Sequence, residues 1–419
     1  MSQVLEIHNF GPITDAVLEP GALTVCVGPQ ATGKSIAAQL LYFFRNLERL
    51  ILDEIGPLGL ESPEAVFEQA LASLMGNHWK TYFSDQTRLT YISDQPVLPD
   101  YDEQTQSEQT RWEITLSQSG LPQLSDSLRA TINWISGEAG DKDLEQYEIG
   151  QDIYIPAGRV LYTYIAPGQA LISSRIMRHI LEWPAYVRHF YASLGEGLKS
   201  WVGTETGIVL SSGQRSRQKQ EIMKQFLSRQ SSTLLQRGEL LIHQGKKQAF
   251  TVQLQVPGAS SPLRLETISS GQMETWPFLV LASTLAVEHD SLFFVFEEPE
   301  VHLHPQAQVT IAETIAYLTN HGHHFFITTH SPYILYTINV LLKAHQIDPQ
   351  GETITKLNRE SFLPPQSTTA YLFQNDGLVR KISDTETGII DEEELETAAA
   401  ELGDYFEGLL DLEWQAEEQ

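Results

Sequence analysis

The octapeptide GPQATGKS, residues 28–35, constrains the fold of this chain more than any other stretch. It follows the apolar run LTVCV and precedes a segment whose apolar residues recur at helical spacing. Gly28-x-x-x-x-Gly33-Lys34-Ser35 has the spacing of a phosphate-binding P-loop, and a strand before it with a helix after it is the context that this loop requires. A chance match in an ordinary turn would lack that context. The motif therefore predicts an α/β fold.

The residue types of this loop suit phosphate binding. Glycines let successive backbone N–H groups turn toward phosphate oxygens, and the following helix N-terminus adds positive potential. Lys34 would reach the β- and γ-phosphates, and Ser35 would ligate Mg²⁺. The predicted cofactors are therefore ATP and Mg²⁺, although the loop itself does not read the base. The residues predicted to bind the nucleotide are Gly28, Pro29, Gln30, Ala31, Thr32, Gly33, Lys34 and Ser35.

Two carboxylates stand at the end of a second apolar run, LFFVFEE, residues 292–298. Unpaired buried charge is costly, so a buried strand carries acids at its end where something compensates them. A magnesium ion and an attacking water would do so. We assign Glu297 to the metal and Glu298 to polarising the water. The alternative is a pair of solvated acids without a catalytic role.

Two further segments are candidates for the same site. The apolar run ITTHSP, 327–332, contains His330, which could sense the γ-phosphate; the alternative is a satisfied core histidine. The segment ISSGQMET, 268–275, is a Ser/Gly turn that opens a helix. By itself it is an ordinary N-cap formed by Ser269 or Ser270. Its place ahead of the acidic strand favours an anion site for the phosphate of a second nucleotide.

The order of these motifs resembles the ABC-type ATPase head, and more narrowly the SMC/RecF-like and OLD-like ATPases of prokaryotes. The resemblance rests on LEIHNFGPITDAVLEPGALTVCVGPQATGKS, on ISSGQ, and on FEEPEVHLHPQAQ with TTHSPYIL. It covers about residues 1–50 and 265–340, with a weaker match at YIPAGR, 154–159. It implies a P-loop NTPase, with an ABC-ATPase-like head of mixed or parallel sheet flanked by helices, plus a mostly helical and β insertion.

The resemblance also implies that two subunits close around two ATP molecules. Glu298 would be the general base and His330 the switch histidine. For the family's Q-loop glutamine we name Gln151 as a candidate. Glu297 departs from the family pattern, which usually has aspartate there, but a carboxylate remains. The residues that would contact the γ-phosphate held by the other subunit are Ser269, Ser270 (where the family usually has glycine), Gly271 and Gln272.

Hydrophobic periodicity gives a coarse prediction of the elements around these motifs. We expect strands over 3–9, 16–28 and 248–257, with NFGPITD as a turn between the first two. A single helix is expected over 35–55, and mostly helical structure over 173–245.

Motif spacing and composition divide the chain into five segments. Residues 1–56 are the N-terminal part of the ATPase head, and 57–150 are an irregular or β-hairpin-rich insertion. A strand and a helical insertion follow over 151–247, and 248–383 form the C-terminal part of the head. Residues 384–419 are an acidic tail with apolar residues at helical spacing. The tail is either a helix packed on its own domain or a docking element for a partner.

Charge and cysteine usage limit the partners. The 419-residue chain has a formal net charge of −27, and such a surface repels polyanions. DNA binding would need a local basic patch, for which RSRQKQEIMKQFLSRQ, 215–230, is the candidate. The one cysteine, Cys26, excludes an internal disulfide and suits a reducing cytoplasm. We expect no signal peptide. We also expect no membrane span, because the apolar run PFLVLASTLAV is too short to cross a bilayer. We therefore expect a cytoplasmic protein.

We expect an ATPase that forms a homodimer or a higher homo-oligomer with ATP at the interface. The resemblance implies that it acts as sensor or regulatory subunit for a separate effector, a nuclease or a toxin, in antiphage defence. We expect no nuclease domain of the OLD type, because only 89 residues follow His330. The alternatives are a RecF-like DNA-repair ATPase, a non-hydrolysing module stabilised by ATP, and a transporter's nucleotide-binding subunit. We expect no additional metal site from the histidines His302, His304, His321, His323 and His324.

Overall fold

The structure is a computed structural model, and it describes residues 3–55, 62–76, 79–94, 110–116, 122–137, 152–157, 159, 184–205, 217–244, 250–347, 358–384 and 388–391. In these residues the strands are β1 (Gln3–Phe10), β2 (Ile13–Leu18), β3 (Leu23–Val27), β4 (Arg88–Ser93), β5 (Thr110–Leu116), β6 (Pro122–Leu124), β7 (Ile153–Ile155), β8 (Glu239–Gln244), β9 (Phe250–Gln255), β10 (Leu263–Arg264), β11 (Phe293–Glu297), β12 (His324–Thr328), β13 (Thr368–Phe373) and β14 (Val379–Lys381).

The helices are α1 (Lys34–Arg45), α2 (Leu47–Ile55), α3 (Pro63–Met75), α4 (Asp126–Gly137), α5 (Ala185–Glu205), α6 (Arg217–Leu234), α7 (Ser270–Ser283), α8 (Leu285–Glu288), α9 (Pro305–Asn320) and α10 (Pro332–Ile347). Short 3-10 turns occur at Trp79–Tyr82, Leu265–Thr267, Arg359–Ser361 and Pro365–Ser367. Gln151 and the predicted tail beyond Asp391 lie outside the described residues.

A six-stranded sheet in the order β14-β13-β3-β12-β11-β7 carries the predicted motifs. Strands β13, β3, β12, β11 and β7 run parallel, and β14 is antiparallel to β13. In the register, Glu297 lies opposite Thr328, and Thr328 lies opposite Cys26. The carboxyl ends of three neighbouring strands therefore meet at one edge of the sheet, and the predicted α/β fold with a mixed sheet flanked by helices is confirmed.

The two faces of this sheet pack on two hydrophobic cores. Along β3, Val25 and Val27 belong to one core and Cys26 to the other, because successive side chains of a strand point to opposite faces. The first core also holds buried residues of α5, α6, α7, α9 and α10, and the second those of α1 to α4. Cys26 is fully buried, and this burial raises the pKa of its thiol.

An antiparallel sheet, β2-β1-β4-β5-β6, lies beside the second core, and β10-β9-β8 form a third sheet. The strand predicted over 16–28 is two strands in different sheets, β2 and β3. The predicted turn NFGPITD is also too long, because Ile13 already begins β2 and the turn is centred on Gly11 and Pro12. Pro20 and Gly21, between the two strands, mark the missed break.

The helix predicted over 35–55 ends early and restarts. Asn46 closes α1, where its side-chain amide donates to the carbonyl oxygen of Tyr42 at 2.9 Å and to the Oδ2 of Asp152 at 3.1 Å. A polar side chain that bonds to the preceding turn and to a neighbouring segment competes with the helix backbone, and here α1 ends at that residue despite continuous apolar periodicity. Tertiary contact therefore decides this boundary.

The segment predicted as irregular or β-hairpin-rich, 57–150, also contains helices α3 and α4. Helix α3 begins with a cap, because the Ser62 hydroxyl accepts from the Ala65 N–H at 3.3 Å and Pro63 follows as the first helical residue. Strand β4 pairs with β1, so the segment shares a sheet with the N-terminal residues.

Residues 173–245 are not helical throughout, because β8 pairs with β9. The preceding α6 holds most of the basic segment 215–230 and buries Met223, Phe226 and Leu227 in the first core. Its Lys219 and Arg229 point outward. In the described part of the chain, no helix is both long enough and apolar enough to cross a membrane.

We predict that Phe67→Ala lowers the free energy of unfolding by about 3–5 kcal/mol, because it leaves a cavity in the second core. Phe67 is fully buried and packs edge-on against Phe43 of α1, with ring centroids 5.4 Å apart. Urea denaturation followed by circular dichroism measures the change. The control Val17→Ala alters a half-exposed residue and should stay within about 0.5 kcal/mol of the parent. Equal stability of both variants would contradict the packing of α3 on α1.

Candidate nucleotide-binding site

The loop between β3 and α1 has the backbone that the motif predicts. Gly28 has φ 137° and Gly33 has φ 102°. A Cβ at Gly28 would lie 2.2 Å from the carbonyl oxygen of Phe373, and one at Gly33 would lie 2.5 Å from Cγ1 of Ile13. Both positions therefore need glycine, for the backbone conformation and for space. The Thr32 hydroxyl donates to the Pro29 carbonyl at 2.9 Å and ties the loop to itself.

Lys34 lies inside this loop at the start of α1. Its Nζ donates to the carbonyl oxygens of Gly28 at 2.8 Å and Pro29 at 2.6 Å, and the residue is only 5% exposed. Burial lowers the pKa of Lys34 to about 8, although the carboxylate of Glu298 and other negative groups oppose that shift. The ammonium is thus held by backbone carbonyls, where it can meet phosphate oxygens.

Glu297 at the end of β11 is buried beside the loop. One carboxylate oxygen accepts from the Ala157 N–H at 3.2 Å, and the other has no hydrogen-bond partner among the described residues. Burial raises the pKa of Glu297, and the side chains of Ser35 and Tyr154 lower it in opposition. A buried, half-satisfied carboxylate next to a serine hydroxyl is a pair of hard oxygen donors. Ser35 and Glu297 therefore fit Mg²⁺.

Glu298 and His330 face each other across the end of the sheet. The Nε2 of His330 lies 3.8 Å from Oε1 of Glu298, and both side chains are about one-third exposed. Glu298 has φ 42°, an uncommon conformation outside glycine that takes its side chain off the strand line. Burial and the charge of Lys34 lower the pKa of His330, so the imidazole is mostly neutral at pH 7.

A cavity of about 540 Å³ opens over these groups, within the size range of small-molecule sites. It brings together the P-loop, Glu298 and His330 as the sequence predicts. Pro12, Ile36 and Tyr82 add an apolar wall that the sequence analysis did not identify. The residues that line the cavity are Pro12, Gln30, Ala31, Gly33, Lys34, Ser35, Ile36, Tyr82, Glu298, Thr328 and His330.

The signature segment, which is ISSGQMET at 268–275 with its turn at Ser269 and Ser270, stands apart from this cavity. Within the described residues the cavity lining contains none of 269–272. Ser269 caps α7 in a capping box with Gln272, and both Ser269 and Ser270 are exposed. The Gln272 side chain is buried and donates to the Leu235 carbonyl at 3.0 Å, so it is committed within its own chain. Its contact with a nucleotide stays a prediction.

Two charged residues behind the site belong to stretches that the resemblance includes, but neither was assigned a role of its own from sequence. Arg159, the last residue of YIPAGR, is fully buried and bonds to backbone carbonyls at the end of β11. Glu300 accepts from the His330 N–H at 2.7 Å and fixes the backbone that carries the histidine. The sequence signal for Arg159 is a charged residue four positions after a short apolar strand, and only the fold shows that it contacts the end of β11.

The predicted absence of a further metal site concerns the five histidines outside the P-loop region. His304 caps α9 by accepting from the Gln306 N–H at 3.3 Å. Across the described ranges, no group of three or more His, Cys, Asp or Glu side chains has an arrangement that could hold a metal ion.

We predict that Mg-ATP affinity falls as pH rises through about 8. Phosphate oxygens bind the protonated Lys34, and because burial lowers its pKa to about 8, the free protein loses that proton near this pH. Affinity should be flat below about pH 7 and then fall by at most about tenfold per pH unit. Titration of a fluorescent ATP analogue from pH 6.5 to about 9.5 measures it. Lys34→Arg, which stays charged, should remove this decline; an identical pH profile would contradict the assignment.

Comparison with known proteins supplies the family. Residues 123–335, about half of the chain, match the family model described as AAA ATPase domain. No curated protein matches the chain.

Three solved structures of SMC heads are similar to this chain. An Smc head bound to the C-terminal winged-helix domain of ScpA is 12% identical and has a TM-score of 0.47; the similarity covers 92% of this chain and 98% of that one. The Smc head of Pyrococcus furiosus with an extended coiled coil, bound to the C-terminal domain of ScpA, is 11% identical at 0.46, covering 96% and 99%. The Thermotoga maritima SMC head is 11% identical at 0.34, covering 80% and 91%. Similarities at this level identify neither a partner nor an activity. The family model, however, matches about half of the chain, and this chain therefore belongs to the AAA ATPase domain family.

Proposed function

We propose that this protein binds Mg-ATP at its P-loop and hydrolyses it in a site that a second copy of the chain completes. One observation carries the proposal. The cavity at the P-loop joins Lys34, Glu298 and His330, while the signature turn at Ser269 is exposed and lies outside that cavity. Each chain would thus carry an incomplete nucleotide site and, at a separate place, the helix N-terminus that completes such a site in another chain. Two copies related by a two-fold axis would bring these parts together.

The chemistry within one half-site follows from the geometry. Ser35 and Glu297 would hold the metal, which supplies positive charge to the phosphate oxygens when bound. Lys34 would neutralise the β- and γ-phosphates from inside the loop. Glu298 would orient the attacking water and accept its proton, because its carboxylate is partly exposed at the cavity and no metal role is assigned to it. The neutral imidazole of His330 would hydrogen-bond to the γ-phosphate or to Glu298.

The second copy would contribute the N-terminus of α7. The N–H groups of a helix N-terminus form an anion site, and the exposed Ser269 and Ser270 would come first to a facing phosphate. The side chain of Gln272 would stay in its capping box and support the turn from behind. The γ-phosphate would then bridge two copies, and its loss on hydrolysis would remove the bridge.

A nucleotide that adds contacts only in the closed state shifts an open–closed equilibrium by its differential affinity. We therefore propose that the closed dimer is a signalling state that regulates a separate effector protein, a nuclease or a toxin. The resemblance to OLD-like ATPases supports antiphage defence as its setting.

In cells that carry the effector, the activity of the effector should differ between the Glu298→Gln and Lys34→Ala forms. Equal effector activity would contradict the proposed regulation of the effector.

We predict that Glu298→Gln lowers kcat for ATP hydrolysis by about 10²–10⁴-fold, because the amide cannot accept the proton of the attacking water. Mg-ATP affinity should stay within about twofold, since Lys34 and the loop are unchanged. Phosphate release and equilibrium binding measure the two effects. The control Glu239→Gln, at an exposed position of β8, should hydrolyse ATP like the parent. Parental turnover in Glu298→Gln would remove Glu298 from its role as the base.

We predict that two inactive variants restore activity when they are mixed. Lys34→Ala lacks a functional P-loop, and Ser269→Arg blocks the signature turn. A mixed dimer contains one site built from the intact P-loop of one chain and the intact signature of the other. Random pairing gives one intact site of two in half of the dimers, so it should recover at most about a quarter of parental ATP hydrolysis. No recovery, with both variants folded, would contradict a site shared between copies.

A further inference from the structure

Arg159 is a guanidinium buried behind the catalytic edge of the sheet. It is 0% exposed. It donates to the carbonyl oxygens of Glu297 at 3.1 Å, Glu298 at 3.3 Å and Pro156 at 3.2 Å, so it holds the backbone of both predicted catalytic glutamates. Its plane also lies against Phe296, with the guanidinium carbon 5.0 Å from the ring centroid. The fork geometry allows one side chain to reach several carbonyls at once.

The same guanidinium reaches the signature helix. Its Nε donates to the carbonyl oxygen of Glu274 at 2.8 Å and lies 3.1 Å from Oε2 of that residue. Glu274 is the fifth residue of α7, one turn beyond the exposed Ser269 and Ser270, and its side chain is 3% exposed. Arg159 therefore joins the helix that would meet the partner's nucleotide to the strand end that would meet its own.

A second contact of Glu274 connects α7 to the turn after β11. The other carboxylate oxygen of Glu274 lies 3.6 Å from Nδ1 of His302, in the turn that follows β11. A Cβ at Gly271 would lie 2.7 Å from the carbonyl oxygen of His302, so this turn packs directly on the first turn of α7. The end of β11 and the start of α7 cannot shift independently without breaking these contacts.

A stability role alone explains this arrangement poorly. A buried ion pair pays a desolvation penalty that its attraction only balances, so well-packed apolar residues would stabilise the fold as well or better. Burial raises the pKa of the Glu274 carboxyl, and the neighbouring Arg159 and His302 oppose that shift. The Arg159–Glu274 pair provides a directional link between the end of β11 and the start of α7. Apolar residues would not provide such a link.

We propose that Arg159, through Glu274, is a positioning residue that couples the signature turn of α7 to the Glu297–Glu298 strand end within one chain, so that occupancy of one nucleotide site changes the other. This inference rests on the proposed function, because the two elements serve different nucleotides only in a shared-site dimer. It adds a specific residue pair through which the two sites would communicate.

The test separates coupling within a chain from contact between chains. The full chain carries Ser270→Arg, which is expected to block dimer closure while leaving the Ser269 cap of α7 in place, and hydrogen–deuterium exchange is followed in peptides of α7 with and without Mg-ATPγS. If Arg159 transmits occupancy of the P-loop, nucleotide should slow exchange at the start of α7 by about threefold or more, although no second copy is engaged. Adding Glu274→Gln should abolish that protection while leaving Mg-ATPγS affinity within about twofold.

The matched control alters a partly buried arginine–carboxylate pair at the opposite end of β11. Arg45 lies 2.6 Å from Asp152 and its guanidinium carbon is 3.8 Å from the ring centroid of Phe293. Asp152→Asn should leave the nucleotide-dependent protection of α7 intact. If Glu274→Gln fails to fold, Arg159→Lys serves instead, because it keeps the charge but loses the fork, and it should also lose the protection.

Kinetics give the second readout. In the otherwise unmodified chain, Glu274→Gln should lower the Hill coefficient for ATP hydrolysis toward 1 and lower kcat by about tenfold, with KM little changed. Unchanged protection and an unchanged Hill coefficient in a folded Glu274→Gln protein would overturn the coupling while leaving the proposed ATPase intact. Failure of the unmodified chain to bind Mg-ATPγS would overturn both, and is recognised by the binding measurement itself.

Discussion

The register of three neighbouring parallel strands is the constraint on which the site depends. Strand β12 lies between β3 and β11, and it aligns Thr328 with Cys26 on one side and with Glu297 on the other. The P-loop leaves β3, His330 follows β12 and Glu298 follows β11, so one edge receives all three. A shift of one residue would turn each side chain to the opposite face, and the alternating burial of the strands in two cores resists that shift.

Local chemistry explains which parts could be predicted from sequence. The P-loop, the acidic strand end and the histidine strand each carry their signal within about ten residues, and the structure brings them to one cavity. The parts that failed depend on contacts between distant segments. Asn46 ends α1 through Asp152, and β2 separates from β3 by joining another sheet. No local pattern reveals the contact of Asn46 with Asp152, and Pro20 and Gly21 mark the break between β2 and β3 but not the sheet that β2 joins.

Arg159 and Gln272 show the same limit within the site. A sequence can mark Gln272 as a polar residue at a helix start, but its burial and its bond to Leu235 arise from the packing of α6 against α7. Arg159 follows a short strand and has no motif of its own beyond YIPAGR, yet it bonds to the strand end that carries both glutamates. The roles proposed for these residues therefore depend on the elements that they connect.

If a second copy completes the nucleotide site, ATP should bring two copies together. Light scattering of purified Glu298→Gln with and without Mg-ATP measures this assembly. We expect a mass near the 47.1 kDa of one chain without nucleotide and about twice that value with it. Adding Ser269→Arg should abolish the increase. An unchanged single-chain mass at saturating Mg-ATP, with nucleotide shown to be bound, would contradict a site completed by a second copy.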